Sequence, residues 1–181
     1  MELTRAEREI VRFFEGLEVD GYRMPNGEFR IGLAGASRVL GYGREWLADA
    51  VDTRSPRTAK ALQGLGFSEE VAKVTAQSIQ GNAYEDRTIS LDDFNCCIIY
   101  GVQKNKKAAI ALNRAFTKLA LIDFFREAFE EPPLSIAEKR RLFYETYAAS
   151  ISPYDWRRMD REEILRLALP GDEPQLKDWN K

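Results

Sequence analysis

The cationic side chains between residues 23 and 60 have the types and the spacing to contact a nucleic-acid backbone. Arginine and lysine neutralise phosphates, while arginine and asparagine can also hydrogen-bond to the edges of bases. Arg44 and Asn26 are the candidates for such base contacts. The sequence thus predicts that double-stranded DNA is contacted by eight residues, which are Arg23, Asn26, Arg30, Arg38, Arg44, Arg54, Arg57 and Lys60.

The first three of these residues fall in a segment that is typical of a β-hairpin. Apolar and polar residues alternate at 22–24 and at 28–31, on either side of Pro25-Asn26-Gly27. Asn-Gly between alternating runs indicates a tight turn, because both residues tolerate the positive φ that such a turn needs. We therefore expect a hairpin that presents Arg23, Asn26 and Arg30 to the ligand.

Two short helices joined by a glycine turn are predicted directly after this hairpin. Gly41-Tyr42-Gly43 interrupts the helical pattern and supplies the turn. The small residues Ala36 and Ser37 would let the helices cross closely, as in a helix-turn-helix unit. Trp46 is expected to pack in the core rather than to stack on bases. The apolar faces of the two helices are marked by Leu33, Ala36, Val39 and Leu40, and by Trp46, Leu47, Ala50 and Val51.

The charge of the chain limits this DNA-binding hypothesis. Glu45 and Asp49 lie beside Arg44 in the second helix, and carboxylates that face phosphates are unfavourable. The net charge of −2 over 181 residues gives no overall attraction to nucleic acid, so any basic surface must be local. A protein-interaction module that binds a repressor or another regulator without DNA is therefore the first alternative.

The composition and the apolar runs predict a cytoplasmic protein without a membrane segment. With 44% hydrophobic and 31% charged residues, the chain has the composition of a globular protein. No apolar run approaches the roughly 20 residues that span a bilayer, and the N-terminal stretch does not resemble a signal peptide.

The sequence shows no convergent set of catalytic residues. Histidine is absent, which removes His-based triads and most zinc sites. The adjacent Cys96 and Cys97 lie in an apolar run and are expected to be buried free thiols. The acidic pairs at 92–93 and 130–131 are the best carboxylate candidates, although the first pair fits helix capping better. We expect no enzyme, no cofactor and no metal, and a metal-dependent nuclease remains the second alternative.

The other elements of the N-terminal half are predicted from caps and periodicity. Thr4 to Leu17 has a capping-box pattern and a helical apolar stripe, which favours a helix. Ser55 and Pro56 should begin a short helix through residue 62. Residues 71–80 are ambiguous between strand and helix; we favour a strand that turns at Gly81-Asn82 towards 87–89, in one sheet with the first hairpin.

The C-terminal half is predicted to be helical throughout. Ser90 and Ser135 are N-caps, and helices are expected at 94–102, 108–129, 138–148 and 161–169. The fold class is thus α+β and mostly helical, with a hairpin and helix-turn-helix-like DNA-binding unit at 1–89. Residues 90–181 would form a helical region for oligomerisation, most simply a homo-oligomer, or for partner binding. A second basic face is formed by Lys104, Lys106, Lys107, Arg114 and Lys118.

Two blocks of the sequence carry a resemblance to a known group of proteins. The first block is DGYRMPNGEFRIGLAGASRVLGYGREWL, and the second comprises RTISLDDF and KNKKAAIALNRAFTKLALIDFFREAF. The first resembles the hairpin and helical unit of phage antirepressor-like proteins of the KilA-N and Bro-N type. The second resembles their cyanobacterial relatives, although Glu130 stands where these have a glycine after "AF". The resemblance implies an accessory DNA-binding or regulatory protein.

Overall fold

The computed structural model of the chain describes residues 3–77 and 83–151, within which six strands and six helices are found. The strands are β1 (Leu3–Arg5), β2 (Glu7–Phe14), β3 (Leu17–Arg23), β4 (Phe29–Gly32), β5 (Ala72–Gln77) and β6 (Ala83–Ser90). The helices are α1 (Leu33–Val39), α2 (Trp46–Val51), α3 (Pro56–Gln63), α4 (Leu91–Gln103), α5 (Lys107–Ala128) and α6 (Ile136–Ala149). The predicted α+β class is confirmed.

The sheet curls into a small barrel. Its strand order is β1-β5-β6-β4-β3-β2, so β1 and β2 lie at opposite edges, yet Ala6 alone separates them in sequence. The Ala6 amide donates to the carbonyl of Thr75 in β5 at 3.1 Å, and the next residue, Glu7, lies opposite Arg23 of β3. Because one residue spans at most about 3.6 Å, the two edges must meet.

The inner face of the curled sheet combines a small apolar cluster with buried polar groups. Tyr22 is almost completely buried there, and its hydroxyl donates to Asp86 Oδ2 at 2.6 Å and lies 3.1 Å from the hydroxyl of Tyr84. Burial raises the pKa of Tyr22, and the hydrogen bonds with Asp86 and Tyr84 act in the same direction. A Cβ on Gly32 would lie 2.8 Å from Asp86 Oδ2, so this backbone approach requires glycine.

The position of the helix pair follows from the shortness of β4. Gly32 is the last residue of β4, pairing with Thr88 of β6, whereas β3 and β6 both extend further in this direction. The chain therefore leaves the sheet between β3 and β6, where Leu33 begins α1. α2 and α3 follow directly, so the first three helices are anchored at this end of β4.

The outer face of the sheet carries the main core. One hydrophobic cluster joins Val19, Ile31 and Ile89 of the sheet to Leu112 and Phe143 of the long helices. Both predicted regions, 1–89 and 90–181, thus contribute to a single core. In α5 the first half is buried, and beyond Leu119 the helix projects with the start of α6 away from the sheet.

Most of the predicted elements are confirmed. Gly27 has φ 87° in the β3–β4 turn, and the strand predicted within 71–80 is β5, paired antiparallel with β6 in the same sheet. Ser90 accepts from the amide of Asp93, and Ser135 forms a capping box with Glu138. The predicted turn at 81–82 and the helix at 161–169 lie outside the described residues.

The helix predicted for Thr4 to Leu17 is wrong. The segment forms β1 and β2, because it pairs with β5 on one side and β3 on the other. Ile10 and Val11, which are neighbours in sequence, point to opposite faces of β2 and are both exposed. An apolar stripe in a short segment therefore did not distinguish a helix from a strand, and tertiary pairing decided the outcome.

Gly101→Ala should lower the free energy of unfolding by about 1–3 kcal/mol, the usual cost of overpacking a close contact. The new Cβ would lie 2.5 Å from the Cβ of Ala109, where α4 and α5 cross. Urea unfolding of this variant, of Ala109→Gly and of the double variant measures the coupling. Because Ala109→Gly removes the clashing atom, the double variant should be more stable than the sum of the single losses predicts. Additive losses would show that the two helices do not meet here.

A candidate nucleic-acid interface

The predicted helix pair is held together by Ser37. Its hydroxyl donates to the Leu33 carbonyl at 2.9 Å and accepts from the Leu47 amide at 3.2 Å, which links α1 to α2. Gly41 has φ 78° in the turn between them, a conformation that favours glycine. The prediction of two short helices that meet at Ser37 is confirmed.

The turn between α4 and α5 lies against the turn between α1 and α2. Lys106 donates from its Nζ to the Gly41 carbonyl at 3.2 Å, and the same ammonium lies 4.6 Å from the ring centre of Tyr42. The Lys106 amide donates to the Gly101 carbonyl at 2.9 Å, which closes the α4–α5 turn. Two segments that are about 60 residues apart in sequence thus form one surface.

Three aromatic rings fill the junction of these turns. Tyr42 and Trp46 are stacked with their ring centres 4.0 Å apart, and Tyr100 lies 5.7 Å from Trp46. The Tyr42 hydroxyl is buried, and no hydrogen-bond partner for it lies within the described residues. Burial, followed by the proximity of Tyr100 and Cys97, raises the pKa of Tyr42 to about 12. Trp46 is half-buried and packs on the core, as expected.

Cations surround this aromatic junction. Lys104 is exposed and lies 5.4 Å from the ring centre of Tyr100, and Lys107 is exposed at the start of α5. Arg44 is in the α1–α2 turn; its 3.8 Å ion pair with Glu45 joins two side chains that are each 73% exposed, so the pairing is weak. We name Arg44, Lys104, Lys106 and Lys107 the cationic corner.

Arg38 and Arg44 are brought together by the structure, but beside carboxylates. Both line a polar concavity of about 300 Å³ at the end of β4. Asp20, Glu85 and Asp86 line the same concavity, and Asp20 is also bound by Arg8, whose Nε donates to Oδ1 at 2.9 Å. Arg38 is half-buried and has an interaction partner. The concavity is thus of mixed charge, and it is less suited to phosphate than the cationic corner.

The prediction that Arg30 contacts DNA is wrong. Its side chain is 6% exposed inside the barrel. The guanidinium donates to Thr88 Oγ1 at 3.1 Å and to Glu28 Oε1 at 2.6 Å, and it also bonds to the carbonyl of Glu70. The alternating pattern of the hairpin placed Arg30 on a face that the sequence suggested to be exposed, whereas the curled sheet encloses it.

Arg30→Met should therefore lower stability by about 2–3 kcal/mol, because it leaves buried oxygen atoms without their donor. Chemical denaturation measures this loss, and the DNA affinity of the folded fraction should be unchanged. Arg23→Met is the matched control: Arg23 pairs with Glu7 on the surface, and such pairs contribute at most about 1 kcal/mol. Equal losses in the two variants would contradict the structural role of Arg30.

The hairpin turn lies away from the helix pair. Arg23 donates from its Nε to Glu7 Oε2 at 2.9 Å, and Asn26 uses its side-chain oxygen to accept from the Glu28 amide at 3.0 Å. The turn is at the beginning of β4 and α1 follows the end of β4, so a four-residue strand of about 13 Å separates them. Arg23 and Asn26 thus do not join the cationic corner.

The last three predicted residues lie around α3. Arg54 pairs with Asp49 at 3.2 Å and with Asp52 at 2.9 Å, so its charge is largely compensated. Arg57 and Lys60 are exposed on α3, opposite its buried residues. These two cations are exposed on a helix outside the two turns that form the cationic corner.

Sequence reasoning separated residues that the fold brings together. The sequence predicts Lys104, Lys106 and Lys107 as a second basic face, distinct from the helix pair. It does not indicate that Tyr42 and Tyr100 meet beside them. Their contact depends on how α4 packs against the α1–α2 turn, and no local pattern in the sequence carries that information.

The carboxylates that the nuclease hypothesis would use, at 92–93 and 130–131, do not form one cluster, and two of them have structural roles. Asp93 is buried, and its two oxygens accept from the amide and the hydroxyl of Ser68, both at 2.7 Å. Glu131 pairs with Arg126 at 2.8 Å. In residues 3–77 and 83–151, no group of three acidic or cysteine side chains could hold a metal ion. Cys96 and Cys97 are buried free thiols, as predicted, and burial raises the pKa of both.

No family model matches this sequence, and neither the curated proteins nor the solved structures compared with it give a match. None of the helices in the described ranges combines the length and the apolar character needed to cross a membrane.

Proposed function

We propose that the chain binds double-stranded DNA through the cationic corner and acts as a non-enzymatic regulatory protein of the antirepressor type. The observation that carries the proposal is the bond from Lys106 to the Gly41 carbonyl, which joins the basic α4–α5 turn to the helix pair. The lysines of the α4–α5 turn then lie beside the turn that holds Arg44, whose side chain also borders the concavity of mixed charge. A local basic surface of this kind is what a chain with a net charge of −2 needs to bind phosphates.

The arrangement favours contacts with the phosphate backbone over stacking on bases. The aromatic rings are occupied by one another and by Lys104 and Lys106. A platform for single strands would instead leave its ring faces open to successive bases. The cationic corner should therefore bind duplex DNA through about four phosphates, and the exposed side chain of Arg44 is the candidate that can also reach a base edge.

The proposal is tested by titrating the chain into a fluorescent 30-base-pair duplex at several salt concentrations. Neutralisation of about four phosphates gives a log–log slope of roughly −3.5, so affinity should fall about 100-fold between 50 and 200 mM salt. An unlabelled duplex should compete for the same site. An absence of binding at 50 mM salt, or an affinity that does not depend on salt, would contradict the proposal.

A protein-interaction module is the second candidate function, and exposed apolar surface favours it. Phe124, Phe125 and Phe129 at the end of α5 are between 65% and 74% exposed. Exposed apolar patches of this kind mark contacts with other proteins. This candidate and DNA binding use different surfaces, so the salt titration distinguishes them.

A further inference from the structure

An apolar groove runs along the outer face of the barrel beside α4. Its volume is about 700 Å³, and its walls include Val11, Val19, Phe29, Leu91, Phe94 and Ile98. The lips are open, since Val11, Phe29 and Leu91 are 41%, 60% and 51% exposed. Gly21 lies in the floor, where a Cβ would come within 2.5 Å of Val11 Cγ2. A groove of this size and composition can accept large apolar side chains.

The end of α5 carries the opposite shape, a convex apolar stripe. Leu121, Phe124, Phe125 and Phe129 are 54%, 70%, 65% and 74% exposed. Their spacing of i, i+3, i+4 and i+8 places them along one side of the helix. Ile136, at the start of α6, is 67% exposed and lies at the same end of the α5–α6 helix pair. We name the projecting segment 121–136 the arm.

The arm cannot reach the groove of its own chain. Phe116 of α5 lines the groove, and α5 continues from there as an unbroken helix to Ala128. At 1.5 Å per residue, Phe125 and Phe129 lie roughly 13–20 Å away from Phe116 along the axis. The stripe therefore lies beyond the groove along α5, and a stripe that fills this groove must come from a second copy.

We propose that two copies of the chain exchange arms, so that the apolar stripe of each lies in the apolar groove of the other. An apolar helix face in a groove is a recurrent mode of recognition, with anchors at the spacing seen here. Because Phe116 of the groove and Leu121 of the arm lie on the same helix, a two-fold axis can satisfy both contacts at once and close the assembly.

The area is sufficient for a dimer. Three phenylalanines that are about two-thirds exposed present roughly 300–500 Å² on each arm. Each partner contributes one arm and one set of groove lips, which together approach the roughly 800 Å² per partner of a stable interface. This pairing does not depend on the cationic corner, so it stands or fails separately from DNA binding.

The test uses two variants that change one side of the contact each. Leu91→Asp places a carboxylate in the groove lip, and the fold tolerates it because residue 91 is the first of α4, where the helix dipole favours an acid. Phe125→Lys places a cation in the stripe at an exposed helical position. Sedimentation equilibrium of the full chain and of each variant measures the mass, and circular dichroism checks that each variant is folded.

The expected result is a dimer for the unaltered chain, a monomer for each variant alone, and a heterodimer when the two variants are mixed. In the mixture, one native arm meets one native groove, and the lysine of one variant meets the aspartate of the other. An unaltered chain that is monomeric overturns the proposal. Such a result is expected if the groove is filled by residues 152–181 or by another molecule instead of by the arm of a second copy. Loss of the dimer in one variant alone, or a mixture that stays monomeric, overturns it as well, because the arms or the grooves would then pair with themselves.

Discussion

Replacing Arg44 and Lys104 by glutamate together should weaken binding to a 30-base-pair duplex by about 30- to 100-fold at 100 mM salt. Each reversal removes a phosphate contact and adds repulsion, a combined effect of roughly 2–3 kcal/mol. The two residues come from the two turns that meet at the junction, and both are exposed, so the fold should be preserved. Fluorescence anisotropy measures the change, and the salt slope should fall by about two.

The matched control for this variant is Arg5→Glu with Lys73→Glu. These exposed cations lie on β1 and β5, outside the cationic corner, and the change in net charge is the same. Because salt screens charges beyond about 10 Å at this ionic strength, the control should lose less than about threefold. A control that loses as much affinity as the corner variant would mean that net charge, and not this surface, determines binding.

Phe143→Ala should lower the free energy of unfolding by about 3–5 kcal/mol, the usual cost of truncating a buried phenylalanine. Phe143 is 3% exposed and joins α6 to the barrel and to α5. Its ring centre lies 5.5 Å from that of Phe13 and 4.9 Å from that of Phe116. The substitution thus opens a cavity where three elements meet, and denaturant unfolding measures the loss.

Phe129→Ala is the control for that truncation, measured in dilute protein so that association does not contribute. Phe129 is 74% exposed at the end of α5, and surface truncations usually change stability by less than about 0.5 kcal/mol. Similar losses for Phe129 and Phe143 would show that the aromatic cluster around Phe143 is not the anchor of α6.

Local signals predicted most of the elements that position the candidate site. Asn26-Gly27 indicated the hairpin, Gly41 indicated the turn between two helices, and Ser90 and Ser135 indicated the starts of α4 and α6. Each of these depends on the conformational preference or the hydrogen-bonding capacity of one residue with its near neighbours. Such preferences act over a few residues, so they can be recognised without knowledge of the tertiary structure.

The predictions that fail are those for segments whose structure is decided by pairing with distant parts of the chain. Thr4 to Leu17 has a capping pattern, but its backbone pairs with strands around residues 20 and 74 and closes the barrel. The same closure buries Arg30, which local alternation had placed on the surface. The junction of Tyr42 with Lys106 also depends on packing between elements that are distant in sequence. Contacts between distant elements determined all three outcomes, and local propensity did not.

The most direct test of the proposed interface is the ¹⁵N–¹H correlation spectrum of the labelled chain during addition of duplex DNA. We expect the amide signals of 41–46 and 100–107 to shift together with the indole signal of Trp46, since these groups surround the cationic corner. The hairpin turn at 24–28 and the groove lip at Leu91 should shift little. Shifts confined to the hairpin or to the groove, or a spectrum that DNA does not change, would contradict DNA binding at the cationic corner.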